Sequence, residues 1–243
     1  MTRIFLPPDQ LLSDQLTITG ENAKHLALVL RIKANDLITV FDGQGSRYEC
    51  RITSAHKKEV LAEIITRAPY SVESPLNITL AQGIARGEKM DLIIQKATEL
   101  GVNRIVPLIT QHTQVRQTHK IDRWKKIAQA ASQQSAREQI PLIEDPVELN
   151  AFTNANAKRD STLSLILYES HDRRNLKDTL RNRKDIDSII ILVGPEGGFS
   201  QEEVSSASEA DYIPVSLGPR ILRTETAPLA AISIIQYELG DAG

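Results

Sequence analysis

The chain has 243 residues and a single cysteine, Cys50, so no internal disulfide can form. Its alternating apolar context marks Cys50 as a strand residue rather than a nucleophile. No apolar run approaches the roughly 20 residues that a membrane-spanning helix needs. The amino terminus, Met1-Thr-Arg-Ile-Phe-Leu-Pro-Pro8, has neither the apolar stretch nor the cleavage pattern of a leader. A soluble cytoplasmic protein is therefore expected. The formal net charge is only -2, so any surface for nucleic acid has to be a local patch. The five histidines and one cysteine show no metal-ligand spacing, and no metal is expected. A phosphate-binding P-loop is absent, as is the glycine fingerprint of dinucleotide sites. There is no internal repeat and no low-complexity segment.

What is present is concentrated between Ile189 and Pro228. An apolar, β-branched run, Ile189-Ile-Ile-Leu-Val193, leads into Gly194-Pro-Glu-Gly-Gly-Phe199. A polar helix follows, then Tyr212-Ile-Pro-Val-Ser216 and a second loop, Leu217-Gly-Pro-Arg-Ile-Leu-Arg-Thr-Glu-Thr226. Loops at the carboxyl ends of strands in an open α/β sheet are where ligands bind. Pro195 fixes a dihedral and removes a donor. Gly194, Gly197 and Gly198 permit φ > 0 and let a ligand lie on bare backbone. Ser200 and Glu203 have capping-box spacing, so a helix is predicted to start there. Thr224 and Thr226 are both candidate N-caps for the last helix. Neither loop contains a lysine to hold a phosphate. A ligand read by backbone groups fits better, and S-adenosylmethionine is one such ligand.

In chain order, residues 1–72 read as a small β-rich domain. Strands are predicted around Leu16, from Asp36, from Arg47 and from Val60, with a short helix through His25 and a hairpin at Asp42-Gly43. Pro69 to Pro75 is the predicted linker. From residue 73 to 243 strands alternate with helices, which argues a mostly parallel sheet. Met90, Ile93, Ile94, Ala97 and Leu100 are at helical spacing, and Gly101 stops that helix. A long helix is predicted over 121–139, with Trp124, Ile127, Ala128 and Ala131 on one face, and a third strand of this domain from Leu163.

Gly194 to Phe199 and Leu217 to Thr226 together resemble the loops of the SPOUT methyltransferases, the α/β trefoil-knot class. The closer resemblance is to the RsmE-type enzymes, which methylate N3 of a uridine in small-subunit (16S) ribosomal RNA. It extends to Ala81-Gln-Gly-Ile-Ala-Arg-Gly-Glu-Lys-Met-Asp91, Gln95-Lys-Ala-Thr-Glu-Leu-Gly-Val102 and His25-Leu-Ala-Leu-Val-Leu-Arg31. The motifs span nearly the whole chain in order. The resemblance implies a PUA-like RNA-binding β-barrel over 1–72 and a SPOUT catalytic domain over 73–243, knotted around the two loops. It also implies a homodimer that uses S-adenosylmethionine and acts on 16S rRNA or the small ribosomal subunit.

On that resemblance the cofactor-binding candidates are Gly194, Pro195, Glu196, Gly197, Gly198, Phe199, Leu217, Gly218, Ile221, Leu222, Thr224, Thr226 and Ala227, with Tyr168 and Glu169 closing a third side. For those last two an ordinary strand end is the alternative. Methyl transfer to uracil N3 requires orientation of the base and stabilisation of its anion, which a fixed guanidinium supplies. Arg220, Arg223 and Glu225 are the catalytic candidates, set against a surface arginine and a helix-favouring glutamate. The sequence does not identify a general base. Arg31, Arg86, Lys89 and Arg137 are candidate RNA contacts, as more weakly are Lys96, Arg116, Lys120, Arg123, Lys125 and Lys126; basic residues usually sit on solvated faces. His25 is expected to pack or cap a helix, and Trp124 to be core. Thr110-Gln111-His112 and Gln133 depart from the family pattern, and no role is assigned to them. Two rivals are a non-catalytic RNA-binding assembly factor with a vestigial fold, and a methyltransferase acting on another RNA.

Overall fold

Alternating apolar residues build the first sheet of the computed structural model, which describes residues 2–68, 72–114, 118–157, 160–169, 174–181, 183 and 185–243. Leu16 and Ile18 of β2 (Gln15–Thr19) are buried while their neighbours are exposed, the period-2 pattern of a half-buried strand. β1 (Thr2–Phe5), β2, β3 (Leu37–Phe41), β4 (Arg47–Ala55) and β5 (Glu59–Ala68) form a five-stranded sheet in the order β1-β3-β4-β5-β2. The β1–β3 pair is parallel and the rest antiparallel. The predicted hairpin at Asp42 joins β3 to β4, its carboxylate accepting from the backbone N–H groups of Gln44 and Ser46. Ile4, Leu16, Ile18, Leu26, Ile38, Val40, Cys50, Ile52 and Val60 make one core, to which the short helix α1 (Gly20–Lys24) adds Ala23. Burial pushes the Cys50 thiol up to about 12. At pH 8 it is therefore expected to resist a thiol reagent until denaturant is added, as a colorimetric thiol titration would show.

This first unit comprises residues 1–73 together with 132–140. The second stretch corrects the predicted helix over 121–139. The helix α3 (Ile121–Gln134) ends early because Ala136 takes the left-handed conformation, φ 63°. The residues beyond it run into the first unit, where Ile140 N–H donates to the Gly43 carbonyl and Gly45 N–H to that of Glu138. Arg137, read from the sequence as an RNA contact, is only 4% exposed at its side chain and paired with Glu73 at 2.6 Å. The Glu73 carboxylate also accepts from the backbone N–H groups of Glu138 and Gln139, each at 3.1 Å. Arg137 therefore holds this segment in place and offers no guanidinium to a phosphate. The predicted linker falls partly on 69–71, outside the described residues.

The second unit, residues 74–131 and 141–243, contains β6 (Asn77–Gly83), α2 (Lys89–Glu99), β7 (Arg104–Ile109), the body of α3, β8 (Leu142–Ile143), β9 (Val147–Glu148), α4 (Leu149–Ala155), β10 (Thr162–Leu167), β11 (Arg174–Asn175), α5 (Leu176–Leu180), β12 (Ser188–Val193), α6 (Gln201–Glu209), β13 (Ile213–Ser216) and α7 (Ala227–Leu239). The sheet runs β11-β13-β10-β12-β6-β7-β8, with β9 also on β7, and every pair is parallel. β6 and β12 are buried along nearly their whole length because both of their faces are covered, and β12 is a near-continuous apolar run. α2 buries Met90, Ile93, Ile94 and Ala97 as the spacing predicts. Gly101, at φ 87°, follows its carboxyl end, where Gln236 of α7 donates its side-chain amide to the Leu100 carbonyl at 2.9 Å. Trp124 is buried and donates its indole N–H to Asp91.

The strand order sets the site. The chain passes from β10 to β12 on one side and then, through α6, to β13 on the other. The carboxyl ends of β13, β10 and β12 thus lie side by side at a point where the direction of winding reverses, the place where open α/β sheets take ligands.

Candidate active site

Three strand ends and two helix starts enclose a cavity of about 1000 Å³. From the end of β10 come Leu167, Tyr168 and Glu169. The first loop gives Val193, Gly194, Pro195, Glu196, Gly197, Gly198 and Phe199. The second gives Val215 to Thr224, including Leu217, Gly218, Arg220, Ile221, Leu222 and Arg223, and Ala227 begins α7. All the cofactor candidates except Thr226 line this space, as do two of the three catalytic candidates. Glu225 and Thr226 are not among the lining residues.

The first loop is braced from outside. Ser200 and Glu203 form the predicted capping box, their side chains and backbone N–H groups bonding reciprocally at 3.2 and 2.8 Å. The other oxygen of Glu203 accepts from the Gln111 backbone N–H at 2.7 Å, and a His112 ring nitrogen sits 3.2 Å from the Gly198 carbonyl. The Thr110 to His112 turn, given no role from sequence, therefore walls the loop. Of the three loop glycines only Gly198 has positive φ, 67°, joined by Gly218 in the second loop at 102°. At both positions a Cβ would meet nothing within 4 Å, so bare backbone faces open space. Gly194 has a different reason to be glycine: a Cβ there would come within 2.9 Å of the Gly198 backbone.

Thr224 corrects one expectation and Thr226 another. Thr226 is the N-cap of α7 by position, but its side chain makes no capping bond. The Thr224 hydroxyl instead donates to the Gly194 carbonyl at 2.8 Å, which ties the second loop to the first.

Lys89 is the residue whose surroundings sequence reasoning missed. Read as an RNA contact, it starts α2 and lines the cavity, with its ammonium 3.1 Å from Glu196 and 3.3 Å from Glu225. One cation thus bridges a carboxylate from each loop. Hydrogen bonding to Glu196, and then to Glu225, holds the ammonium above its ordinary value. Partial burial pushes the Glu196 carboxyl up, but the backbone N–H groups of Glu196 and Arg86, joined by Lys89, outweigh that and hold it below the usual range. Arg223 is 83% exposed at its side chain, with a nitrogen 4.0 Å from Glu225. Arg220 is exposed as well. Both side chains are thus exposed at the cavity wall, Arg223 beside Glu225.

The remaining RNA candidates among the described residues do not line the cavity. Arg31 is exposed in the first unit, at φ 53°. The Arg86 side chain is exposed while its backbone N–H donates to Glu196 at 3.1 Å. Arg123 is paired with Asp91, Lys96 with Glu99, and Lys120 donates to the Gly87 carbonyl. Lys125 and Lys126 are exposed. Arg116 is outside the described residues. His25 is exposed and does not pack, but it occupies the C-cap position of α1, the other of the two expected roles. No group of three or more His, Cys, Asp or Glu side chains among the described residues is placed to hold a metal, and no helix among them is long and apolar enough to cross a membrane.

Known proteins share this arrangement across its full extent. Residues 72–236 match the family model of the RNA methyltransferase domain, and residues 18–65 match that of the RNA methyltransferase PUA domain. The ribosomal RNA small subunit methyltransferase E of Buchnera aphidicola is 33% identical over 98% of this chain and 94% of its own length. That of Bacillus subtilis is 32% identical over 91% of this chain and 90% of its own. A crystal structure of the Neisseria gonorrhoeae ribosomal RNA small subunit methyltransferase E, bound to S-adenosyl methionine, superposes with a TM-score of 0.89 at 37% identity and covers 100% of both chains. With a PUA-like unit ahead of a parallel α/β SPOUT unit, the chain belongs to the RsmE-type family of RNA methyltransferases.

Proposed function

We propose that this protein transfers the methyl group of S-adenosylmethionine to N3 of a uridine in small-subunit ribosomal RNA. The observation that carries this reading is the cavity of about 1000 Å³ between two glycine-bearing loops. Its walls at Gly198 and Gly218 are bare backbone with open space where a Cβ would project. A flat nucleoside held by backbone groups suits such a cradle. Gly194 to Phe199 and Leu217 to Leu222 would hold the adenosine, with Tyr168, Glu169 and Ala227 closing the remaining sides.

When bound, the donor supplies a sulfonium methyl. The uracil N3 would give up its proton to water and attack the methyl carbon in line, the N–C bond forming as the C–S bond breaks with its electron pair left on sulfur. The protein's part is to orient the base, which is worth effective molarities of about 10⁵–10⁸ M, and to balance the charge on the uracil oxygens. Arg220 and Arg223 are placed for the second task, since a guanidinium offers paired donors to carbonyl oxygens. Lys89, held by Glu196 and Glu225, keeps those two carboxylates from repelling the uracil anion.

Arg31 and Arg86, exposed on their separate units, remain candidate RNA contacts. A homodimer through α7 fits the exposure of Tyr237, 66%, on a helix otherwise rich in alanine and isoleucine. A cytoplasmic setting follows from a ribosomal substrate.

The test is methyl transfer from labelled S-adenosylmethionine to undermethylated small-subunit particles, followed by mass spectrometry of the nucleosides. N3-methyluridine is the expected product. Another methylated nucleoside would overturn the target base while leaving the donor in place. Neither incorporation nor donor binding would overturn the enzyme reading in favour of a non-catalytic RNA-binding factor.

A further inference from the structure

Behind the cavity one side-chain amide joins the two loops. Gln82, next to last in β6, is fully buried. Its Nε2 lies 3.2 Å from the Gly194 carbonyl, 3.2 Å from the Thr224 hydroxyl and 3.0 Å from the Gly83 carbonyl. Thr224 in turn donates to the same Gly194 carbonyl at 2.8 Å. Gly194 opens the first loop, and Thr224 lies near the end of the second. The two Nε2–H groups are shared among these three acceptors, and the Gly194 carbonyl, with two lone pairs, accepts from both Gln82 and Thr224. The peptide after Gly194 is therefore fixed in rotation, and the hydroxyl of the second loop is fixed against it. The other end of the Gln82 amide, Oε1, is buried with no hydrogen-bond partner among the described residues. A buried acceptor left unmade is destabilising, and an apolar side chain of similar volume would avoid that loss. The amide is thus accounted for by what its NH₂ group holds, not by what it adds to the core.

We propose that Gln82 is a positioning residue for the methyl donor. Through its Nε2 it sets the Gly194 peptide and, by way of Thr224, the separation of the two loops that enclose the cavity. This rests on the cavity being the donor site. The β6–α2 segment then ties the loops twice, with Gln82 on the buried side and Lys89 on the open side.

The experiment is calorimetric titration of S-adenosylmethionine into the full-length protein and into Gln82→Met, Thr224→Val, the double variant and Thr224→Ser, each with its melting temperature. Each of the first two variants is expected to weaken binding about tenfold, the scale of one buried hydrogen bond. The double variant is expected to lose less than the product of the two single losses, because both side chains hold the same Gly194 carbonyl and each also holds the other. Thr224→Ser keeps the hydroxyl and is expected to bind within about threefold of wild type, on the same scale. In turnover the Gln82→Met loss is expected in KM for the donor more than in kcat, a split that a general loss of stability would not produce. Donor binding by Gln82→Met within twofold of wild type would overturn the proposal, as would singles whose effects multiply in the double. Should Gln82→Met fail to fold, Gln82→Leu serves, since it keeps much of the volume and has no donor for the Gly194 carbonyl; wild-type affinity there would overturn the proposal equally. A wild-type protein that binds no donor would remove the donor site itself, and the role of Gln82 with it.

Discussion

Gly83→Ala is expected to weaken donor binding at least about a hundredfold and to lower the melting temperature, the combined result of a clash that has nowhere to go. A Cβ at Gly83 would lie 2.5 Å from Pro195 Cδ and 2.6 Å from the Pro195 backbone nitrogen. Neither atom belongs to a flexible side chain, so relief requires the first loop to move away from β6. The sheet resists that movement, because β6 and β12 are paired up to Gln82 and Val193, directly before the two glycines. Overpacking in a filled core costs about 1–3 kcal/mol even when side chains can yield, and here the backbone must yield. Gly87→Ala is the control. It has a left-handed backbone, φ 64°, with nothing within 4 Å of its Cβ position. It should therefore lose stability through strain alone, about 1 kcal/mol, with little change in donor affinity. Calorimetric titration and thermal melting of the two variants make the comparison. Gly83→Ala binding within about threefold of wild type would show that the loop is not held at this distance.

Glu73→Ala is expected to be among the most destabilising single changes in the first unit. It leaves the Arg137 guanidinium, 4% exposed, without its carboxylate, and the N–H groups of Glu138 and Gln139 without their acceptor. Removing one partner of a buried ion pair costs about 3–5 kcal/mol. The loss should fall first on residues 132–140, since Glu73 is the acceptor for three successive residues there. Hydrogen exchange is expected to rise in that segment before the strands, and urea unfolding to shift to lower concentration. The double variant Glu73→Leu/Arg137→Met should recover much of the stability, because apolar side chains of similar volume carry no unpaired charge. If Glu73→Ala unfolded within about 1 kcal/mol of wild type, water would have to reach Arg137 without hindrance.

These two networks also show where sequence reasoning stopped. The glycine loops, the capping box at Ser200 and the end of α2 at Gly101 were legible because each is decided within a few residues by backbone geometry. The parallel sheet was legible because apolar runs alternated with helical spacing. Arg137 was misread as an RNA contact because its partner Glu73 lies 64 positions earlier, and nothing local separates a paired arginine from a free one. Lys89 was read for RNA for a similar reason. Its carboxylates, Glu196 and Glu225, reach it only through the pairing of β6 with β12. Thr224 and Thr226 both fit an N-cap in sequence, yet the carbonyl of Gly194 took the first hydroxyl and the second made no bond. The long helix was overextended because Ala136, a strong helix former, adopts the left-handed conformation once the following residues are drawn into the first unit. β8, β9 and β11, two residues each, are too short for any period to register.

β6 leaves the ribosome long before its partner. Ile78, Leu80 and Ala81 are made early, but β12 begins only at Ser188, and the second loop ends later still. The helix that supplies Gln236 to the end of α2 is the last element of all. During synthesis β6 can pair with β7, but its other edge stays open until β12 exists, a slow and aggregation-exposed order of assembly. A chain stalled or truncated before residue 217 would keep the first unit and most of the sheet while lacking one whole wall of the cavity. Such fragments would neither sequester the methyl donor nor be stabilised by it, so ligand binding reports on finished molecules alone.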